Sequence, residues 1–252
     1  MALLEVAQLV KRYFGVAAVD HVNMEVSRGQ IVGLIGPNGS GKTTLFDCVT
    51  RHLSADGGQV SFNGSDISHA LAHEVALLGC GRTFQTVRVF EDLSVRENLL
   101  LAAQQHQEDS IIKRAIRAPS IRVFDNAALE QCDEALVFVG LARLREERAG
   151  NLSYGQRKLL AFAGCLVFNP CLVLLDEPTA AVNPSMIKKM KEQIRELNGR
   201  GITFLIIEHN MDFIMDLADQ IVVLDRGQKI AEGEPRAIQA NEQVLEAYLG
   251  RQ

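Results

Sequence analysis

The sequence predicts an α/β fold with a mainly parallel sheet, an antiparallel strand region near the N-terminus and a helical subdomain inserted in the middle. Three observations predict it. The runs "IVGLIG" (31–36), "CLVLLDE" (171–177) and "ITFLIIEH" (202–209) are continuously apolar, as strands covered on both faces are. Helical patterns alternate with them, the arrangement of a parallel sheet. The stretch 87–170 changes character and reads as helix, while the first ~65 residues carry the alternation of half-buried strands.

In chain order, Leu3, Leu4 and Val6 open an apolar pattern, and Val22, Met24 and Val26 alternate with polar residues. "IVGLIG" is a buried strand that runs into a glycine-rich turn. "GGQVSFNGSDI" (57–67) is a short strand followed by a tight turn at Asn63-Gly64. Ser94 and Glu97 form a capping box ahead of "NLLLAA". "QQHQEDSIIKRAIRAPSIRVFD" (104–125) is polar and contains Pro119; it reads as an insertion of short helices and loop. Asn126 is placed to cap a helix ending at Val139, with Gly140 as its stop. Ser153 caps a helix anchored by Leu159, Leu160 and Phe162. "NPSMIKKMKEQIRELNGRG" is amphipathic, with Met186, Ile187, Met190, Ile194 and Leu197 on one face. "QIVVLDRGQKIAEGE" is a hairpin turning at Asp225–Gln228. The expected subdivision is a core of residues 1–86 and 171–236, a helical subdomain at 87–170, and a C-terminal helix at 237–252, all within one domain.

Bulk properties narrow the function. The chain has 252 residues, of which 47% are hydrophobic and 23% charged, an ordinary soluble composition. A net charge of −5 supplies no general basic field, so nucleic acid is not an expected partner. Cys48, Cys80, Cys132, Cys165 and Cys171 are odd in number and lack C-x-x-C spacing. They read as small buried apolar groups in a reducing compartment. The N-terminus lacks the pattern of a signal peptide. The longest apolar run, Leu159–Phe168, is about half the ~20 residues of a bilayer span.

The first chemistry lies in "GLIGPNGSGKTTLF". Gly36-x-x-x-x-Gly41-Lys42-Thr43 is a Walker A pattern between a buried strand and a helix. Glycines 36, 39 and 41 let successive N–H groups of Pro37–Thr44 (Pro37 aside, with Asn38, Ser40 and Thr44 among them) turn into one cavity. The helix N-terminus adds partial positive charge, Lys42 a full one for the β- and γ-phosphates, and the Thr43 hydroxyl a ligand for Mg²⁺. A nucleoside triphosphate is the expected ligand. "LVLLDEP" ends a buried strand with two acids. Asp176 stands where a metal-holding acid is needed, and Glu177 beside it can face an attacking water, because neighbouring strand residues point to opposite faces.

These motifs, with "RTFQ" at Gln85, "LSYGQ" (152–156), "IIEHN" at His209 and "KRYFG" at Tyr13, occur in one order along the chain. In this the sequence resembles the ATP-binding subunit of an ATP-binding cassette (ABC) transporter over essentially its whole length. The resemblance implies a P-loop ATPase using ATP and Mg²⁺, with Tyr13 stacking on adenine (Phe14 if the register is off by one). It implies Asp176, Thr43 and Gln85 around the metal, Glu177 as general base, and His209 at the γ-phosphate. It also implies that Ser153, Gly155 and Gln156 receive the ATP of a second, identical or homologous, ABC subunit. Transmembrane permease subunits are the implied partners, contacted through Gln85 and Thr86–Leu93, where "VRVF" forms an apolar patch in a polar loop. A solute-binding protein is an indirect partner, and the implied location is cytoplasmic, peripheral on the inner face of the membrane.

Two positions depart from the family pattern: Tyr154 where glycine is commonest, and Asn183 where many members carry aspartate. With "VRVFEDLSVRENLL", the polar insertion, "NP" after Glu177 and a terminal "AYLG", the chain resembles one subgroup, the importers of branched-chain amino acids and their urea and amide relatives. The alternatives are a soluble ABC ATPase without a transporter, as in iron–sulfur assembly, and an exporter ATPase. "RTFQ" and the insertion weigh against the exporter. A DNA-linked member would sustain heptads and a GTPase would carry N-K-x-D; neither pattern occurs here.

Overall fold

The computed structural model describes residues 2–103 and 119–249. Residues 104–118, and with them most of the insertion expected at 104–125, lie outside the described residues. The chain divides into two compact units. The first comprises Met1–Gln85, Cys171–Ala180 and Ile187–Gln252; the second comprises Thr86–Pro170 and Ala181–Met186.

In the first unit, β1 (Ala2–Tyr13) and β2 (Val16–Ser27) form an antiparallel hairpin. Its turn residues Phe14 and Gly15 have φ of 48° and 86°, the signature of a two-residue primed turn that matches strand twist. β3 (Ile31–Ile35) follows, then the glycine-rich loop and α1 (Lys42–Val49). β4 (Gly57–Phe62) and β5 (Ser65–Asp66) turn at Asn63-Gly64, again with both φ values positive. These strands make a four-stranded antiparallel sheet in the order β2-β1-β4-β5. Leu4, Val6, Leu9, Val22, Met24, Val60 and Phe62 from this sheet share one buried cluster with Leu45, Phe46 and Val49 of α1.

The rest of the unit is α2 (Ala72–Leu77), β6 (Cys80–Arg82) and a βα series whose members follow residue 170. The second unit is helical: α3 (Val95–Ala103), α4 (Pro119–Val139) and α5 (Tyr154–Leu166). The capping box before α3 forms as expected, with Ser94 N–H donating to Glu97 at 2.7 Å and Glu97 N–H to Ser94 Oγ at 3.1 Å. The expected helix start at Asn126 is corrected: α4 begins at Pro119, so Asn126 is an interior residue. Asparagine inside a helix costs only a few tenths of a kcal/mol relative to better formers, so a cap-type residue need not start one. Gly140 ends α4 as expected, with φ of 83°.

The series after residue 170 is β7 (Leu172–Asp176), α6 (Pro184–Gly199), β8 (Thr203–Ile207), α7 (Met211–Leu217), β9 (Gln220–Asp225) and β10 (Gln228–Gly233). α6 crosses from the second unit into the first at Ile187. β3, β7 and β8 are buried at every residue, which is why they read as unbroken apolar runs. The second sheet has the order β10-β9-β3-β8-β7-β6, parallel throughout except for the β9–β10 hairpin. The chain closes with α8 (Pro235–Gln239) and α9 (Glu242–Leu249). One C-terminal helix over 237–252 was the expectation; two short ones stand instead, because Asn241 Oδ1 accepts from Val244 N–H at 3.2 Å and starts a new helix. Cys48, Cys80, Cys132 and Cys165 are buried and Cys171 is half-buried, all unbonded to one another.

Candidate active site

Sheet order places the chemistry. In the second sheet β3, β8, β7 and β6 are neighbours, and the parallel ones end at the same edge. The glycine-rich loop leaves β3, His209 follows β8, Asp176 ends β7 with Glu177 just beyond it, and Gln85 follows β6. Sites at the carboxyl edge of a parallel sheet arise this way, because each strand delivers one loop there.

The loop's shape depends on glycine at two points. A Cβ on Gly36 would stand 2.1 Å from Leu224 O, and one on Gly41 the same distance from Ala18 O. Gly41 also has φ of 101° and precedes α1 without a side-chain cap, so no capping side chain occupies the first amides of α1. Lys42 is buried and folded over the loop. Its Nζ donates to Gly36 O at 2.8 Å, Pro37 O at 2.9 Å and Ser40 Oγ at 3.4 Å. Thr43 is exposed in the first turn of α1 and Thr44 half-buried. Asn38 and Gly39 are exposed at the tip.

Glu177 sits at φ 49°, a left-handed conformation that an L-residue adopts at a cost of about 1–2 kcal/mol. Its N–H is held by Ile207 O at 3.0 Å. The kink turns the side chain between two others: Gln85 Nε2 donates to Oε2 at 3.0 Å, and His209 Nε2 lies 3.1 Å from Oε1. Two side chains far apart in sequence thus meet on the Glu177 carboxylate, and all three residues are ones the motifs singled out.

Asp176 is different in kind. It is 3% exposed, and burial pushes its carboxyl up to about 6 against the opposing pull of the Arg82 guanidinium. Oδ2 lies 3.8 Å from Arg82, whereas the buried Oδ1 has no hydrogen-bond partner among the described residues. An orphaned buried carboxylate oxygen beside a phosphate loop fits a hard cation such as Mg²⁺, which takes oxygen ligands and keeps waters.

Three contributors escaped the sequence reading. Glu208, 2% exposed, accepts from the N–H groups of Thr179 (2.8 Å), His209 (3.0 Å) and Asn210 (3.0 Å), and so fixes the backbone that carries His209. An acid directly after an apolar strand was the available signal. Arg82 is the second, with its signal in "RTFQ". The third is Tyr248 of α9, whose hydroxyl lies beside the backbone of Gly36; desolvation raises its pKa to about 12.

Tyr13, for which an adenine contact was expected, ends β1 half-exposed with the Lys11 ammonium 5.8 Å from its ring centre. Phe14 is fully exposed in the turn.

In the second unit, Ser153 caps α5. Its Oγ accepts from Gln156 N–H at 3.3 Å, and Gln156 Oε1 accepts from Ser153 N–H at 2.9 Å. The Ser153 hydroxyl keeps its own hydrogen to donate. Arg157 ties this corner down, bonding Gly150 O at 2.7 Å, Leu152 O at 3.1 Å and Glu91 at 2.7 Å. Gly155 leaves room for Met186, whose Sδ would lie 2.9 Å from a Cβ there. The two departures now have local accounts. The ring of Tyr154 covers the ammonium of buried Lys158 at 5.5 Å. Asn183 caps α6, accepting from Met186 N–H at 2.9 Å, a task its amide oxygen performs without a charge.

A phosphate loop, paired acids and a histidine held against one of them, at the carboxyl edge of this sheet, define a P-loop ATPase. The chain belongs to the ABC transporter family, whose pattern matches residues 19–180. A second family pattern, described as branched-chain amino acid ATP-binding cassette transporter, matches residues 228–252. Among its relatives is the high-affinity branched-chain amino acid transport ATP-binding protein BraF of Pseudomonas aeruginosa, 38% identical over 98% of both chains. Another is LivG of Escherichia coli K12, of the same description, 39% identical over 98% of both. Among solved structures, a nucleotide-free ATP-binding cassette from an ABC transporter superposes with a TM-score of 0.86 at 34% identity, covering 100% of each chain. The ADP conformation of an ATP-binding cassette gives 0.85 at 34% identity and the same coverage.

Proposed function

We propose that this chain hydrolyses ATP to drive a bacterial-type importer of branched-chain amino acids or of related small polar solutes such as urea and amides. The observation that carries the ATPase chemistry is the convergence of Gln85, Glu177 and His209 beside the phosphate loop. The solute class is supported by the family match at 228–252 and by the names of BraF and LivG.

The phosphates of ATP lie along the amides of 36–44, and the Lys42 ammonium exchanges the Gly36 and Pro37 carbonyls for phosphate oxygens. Thr43, Asp176 and Gln85 would hold Mg²⁺, whose charge would offset that of the phosphates. Glu177 takes the proton of the attacking water as general base. His209, fixed from behind by Glu208, holds the Glu177 carboxylate and meets the γ-phosphate. Tyr13 stacks on adenine. Ser153, Gly155 and Gln156 bind the γ-phosphate of a second ABC subunit through the N-terminus of α5. Two subunits therefore close on two ATP molecules and open after hydrolysis, pulling on permease subunits through Gln85 and Thr86–Leu93. Phe90, 63% exposed, is the apolar element of that segment. No helix among the described residues is long and apolar enough to cross a membrane. The names of the chain's relatives as transport ATP-binding proteins support a place at the inner face, bound to membrane subunits.

The test is to assemble the chain with its permease and solute-binding subunits in vesicles. ATPase stimulation is then measured with the binding protein loaded from a panel of leucine, isoleucine, valine, urea and short amides. Stimulation by the branched-chain set supports the proposal; hydrolysis indifferent to every loaded binding protein refutes the importer role.

A further inference from the structure

Arg82, the last residue of β6, has no role in the chemistry described so far. Its side chain is 5% exposed. A guanidinium cannot shed its charge, so burial requires that the charge be met. One terminal nitrogen lies 2.7 Å from Asp47 Oδ1 and 3.8 Å from Asp176 Oδ2. The other donates to Thr50 Oγ1 at 2.7 Å. The ring of Phe84 lies 4.7 Å from the guanidinium carbon and that of Phe46 5.7 Å. Edge contacts and ring contacts together fix the plane of the group. Asp47 belongs to α1, the helix that opens with Lys42.

Asp176 supplies the complementary half. Oδ2 faces the guanidinium, while Oδ1 is buried without a partner among the described residues. The backbone is fixed too, since Asp176 N–H donates to Thr83 Oγ1 at 3.2 Å, one residue beyond Arg82. A lysine ammonium could balance charge there but lacks the planar fork that reaches Asp47 and Thr50 at once while keeping its charge near Asp176.

We propose that Arg82 is the positioning residue for the metal-binding carboxylate: it engages Oδ2 of Asp176 and so leaves Oδ1 as the oxygen presented to Mg²⁺. The inference rests on the assignment of Asp176 to Mg²⁺ made under the proposed function. Partners of this kind behind a ligand alter metal affinity by about 10–100-fold when removed.

The test uses the full chain and a fluorescent non-hydrolysable ATP analogue. Analogue affinity is measured in EDTA, and Mg²⁺ is then titrated to find its half-saturating concentration. Arg82→Met is expected to raise that concentration about tenfold and to leave affinity in EDTA within about twofold of wild type. Arg82→Lys is expected to fall between. Asp176→Asn, run in parallel, separates the two ideas. If it leaves Mg²⁺ half-saturation unchanged, the assignment of Asp176 fails and the inference with it. If it shifts half-saturation but Arg82→Met does not, only the inference fails. Equal loss of affinity with and without Mg²⁺ would make Arg82 a brace for α1 and overturns the proposal as well. Should Arg82→Met not fold, a folded Arg82→Lys decides by the same two readouts: a selective rise supports the inference, and none refutes it.

Discussion

Asp176→Asn should stabilise the nucleotide-free protein at neutral pH, although it removes a residue of the active site. The side chain is 2% exposed, and its carboxyl is raised from 3.8 to about 6, chiefly by desolvation, with Arg82 opposing. The folded-state value lies above the unfolded one, so between about pH 4 and 6 the unfolded chain has released a proton that the folded chain retains. Stability from this group is therefore full below about pH 4, falls as pH rises through the window, and is lost above about pH 6. Two units at about 1.4 kcal/mol each set an upper value of about 3 kcal/mol, or about 1–3 kcal/mol after solvent screening. Asparagine resembles the neutral carboxyl in shape and escapes that cost. Urea unfolding without Mg²⁺ or nucleotide should give a higher midpoint for Asp176→Asn at pH 7.5, with the gain vanishing near pH 4. An equal or lower midpoint at pH 7.5, or a gain independent of pH, refutes the reasoning. The expected result is a stability cost accepted at a functional position.

Other outcomes follow from the same geometry. Glu177→Gln should retain nucleotide and slow hydrolysis by about 10²–10⁴-fold; wild-type turnover in a phosphate-release assay would remove Glu177 from the role of base. Lys42→Ala should weaken ATP binding at least about tenfold by calorimetry, because a charge-assisted contact to phosphate is lost, and an unchanged Kd counts against the assignment. Glu208→Ala leaves three backbone amides without their acceptor and should cost about 3 kcal/mol or more in thermal unfolding, with Glu208→Gln costing less. Equal stability of all three proteins would deny the carboxylate its structural part. Tyr248→Phe removes one hydroxyl from the backbone of Gly36 and should raise the KM for ATP a few-fold with kcat unchanged, about 1 kcal/mol of lost support for the loop; an unaltered KM refutes it.

Much of the fold was legible because its signals are local. Asn63-Gly64 turns where its residue types allow positive φ, and Ser94 and Ser153 cap where a glutamate or glutamine follows three residues on. The unbroken apolar runs of β3, β7 and β8 announced strands covered on both faces. Helix starts were harder. Asn126 carries a start signal yet lies inside a helix that already runs at Pro119, because a cap-type residue is tolerated where helix continues on both sides. The break between α8 and α9 depends on one side-chain bond at Asn241, competing with helix continuation by about a kilocalorie per mole.

The sequence by itself determined which chemical groups are present and in what order: a phosphate loop at 36–43, paired acids at 176–177, a glutamine at 85, a histidine at 209 and a capped helix at 153. Each is a residue type at a fixed spacing, and spacing is visible along a chain. Partnership is not. That Gln85 and His209 meet on opposite oxygens of Glu177, that Arg82 is shared by Asp47 and Asp176, and that Tyr248 reaches Gly36 are decided by the strand order β3-β8-β7-β6 and by where α9 ends. Sheet order is set by the burial of whole strands against one another, a non-local balance that leaves no periodic trace at the residues it brings together.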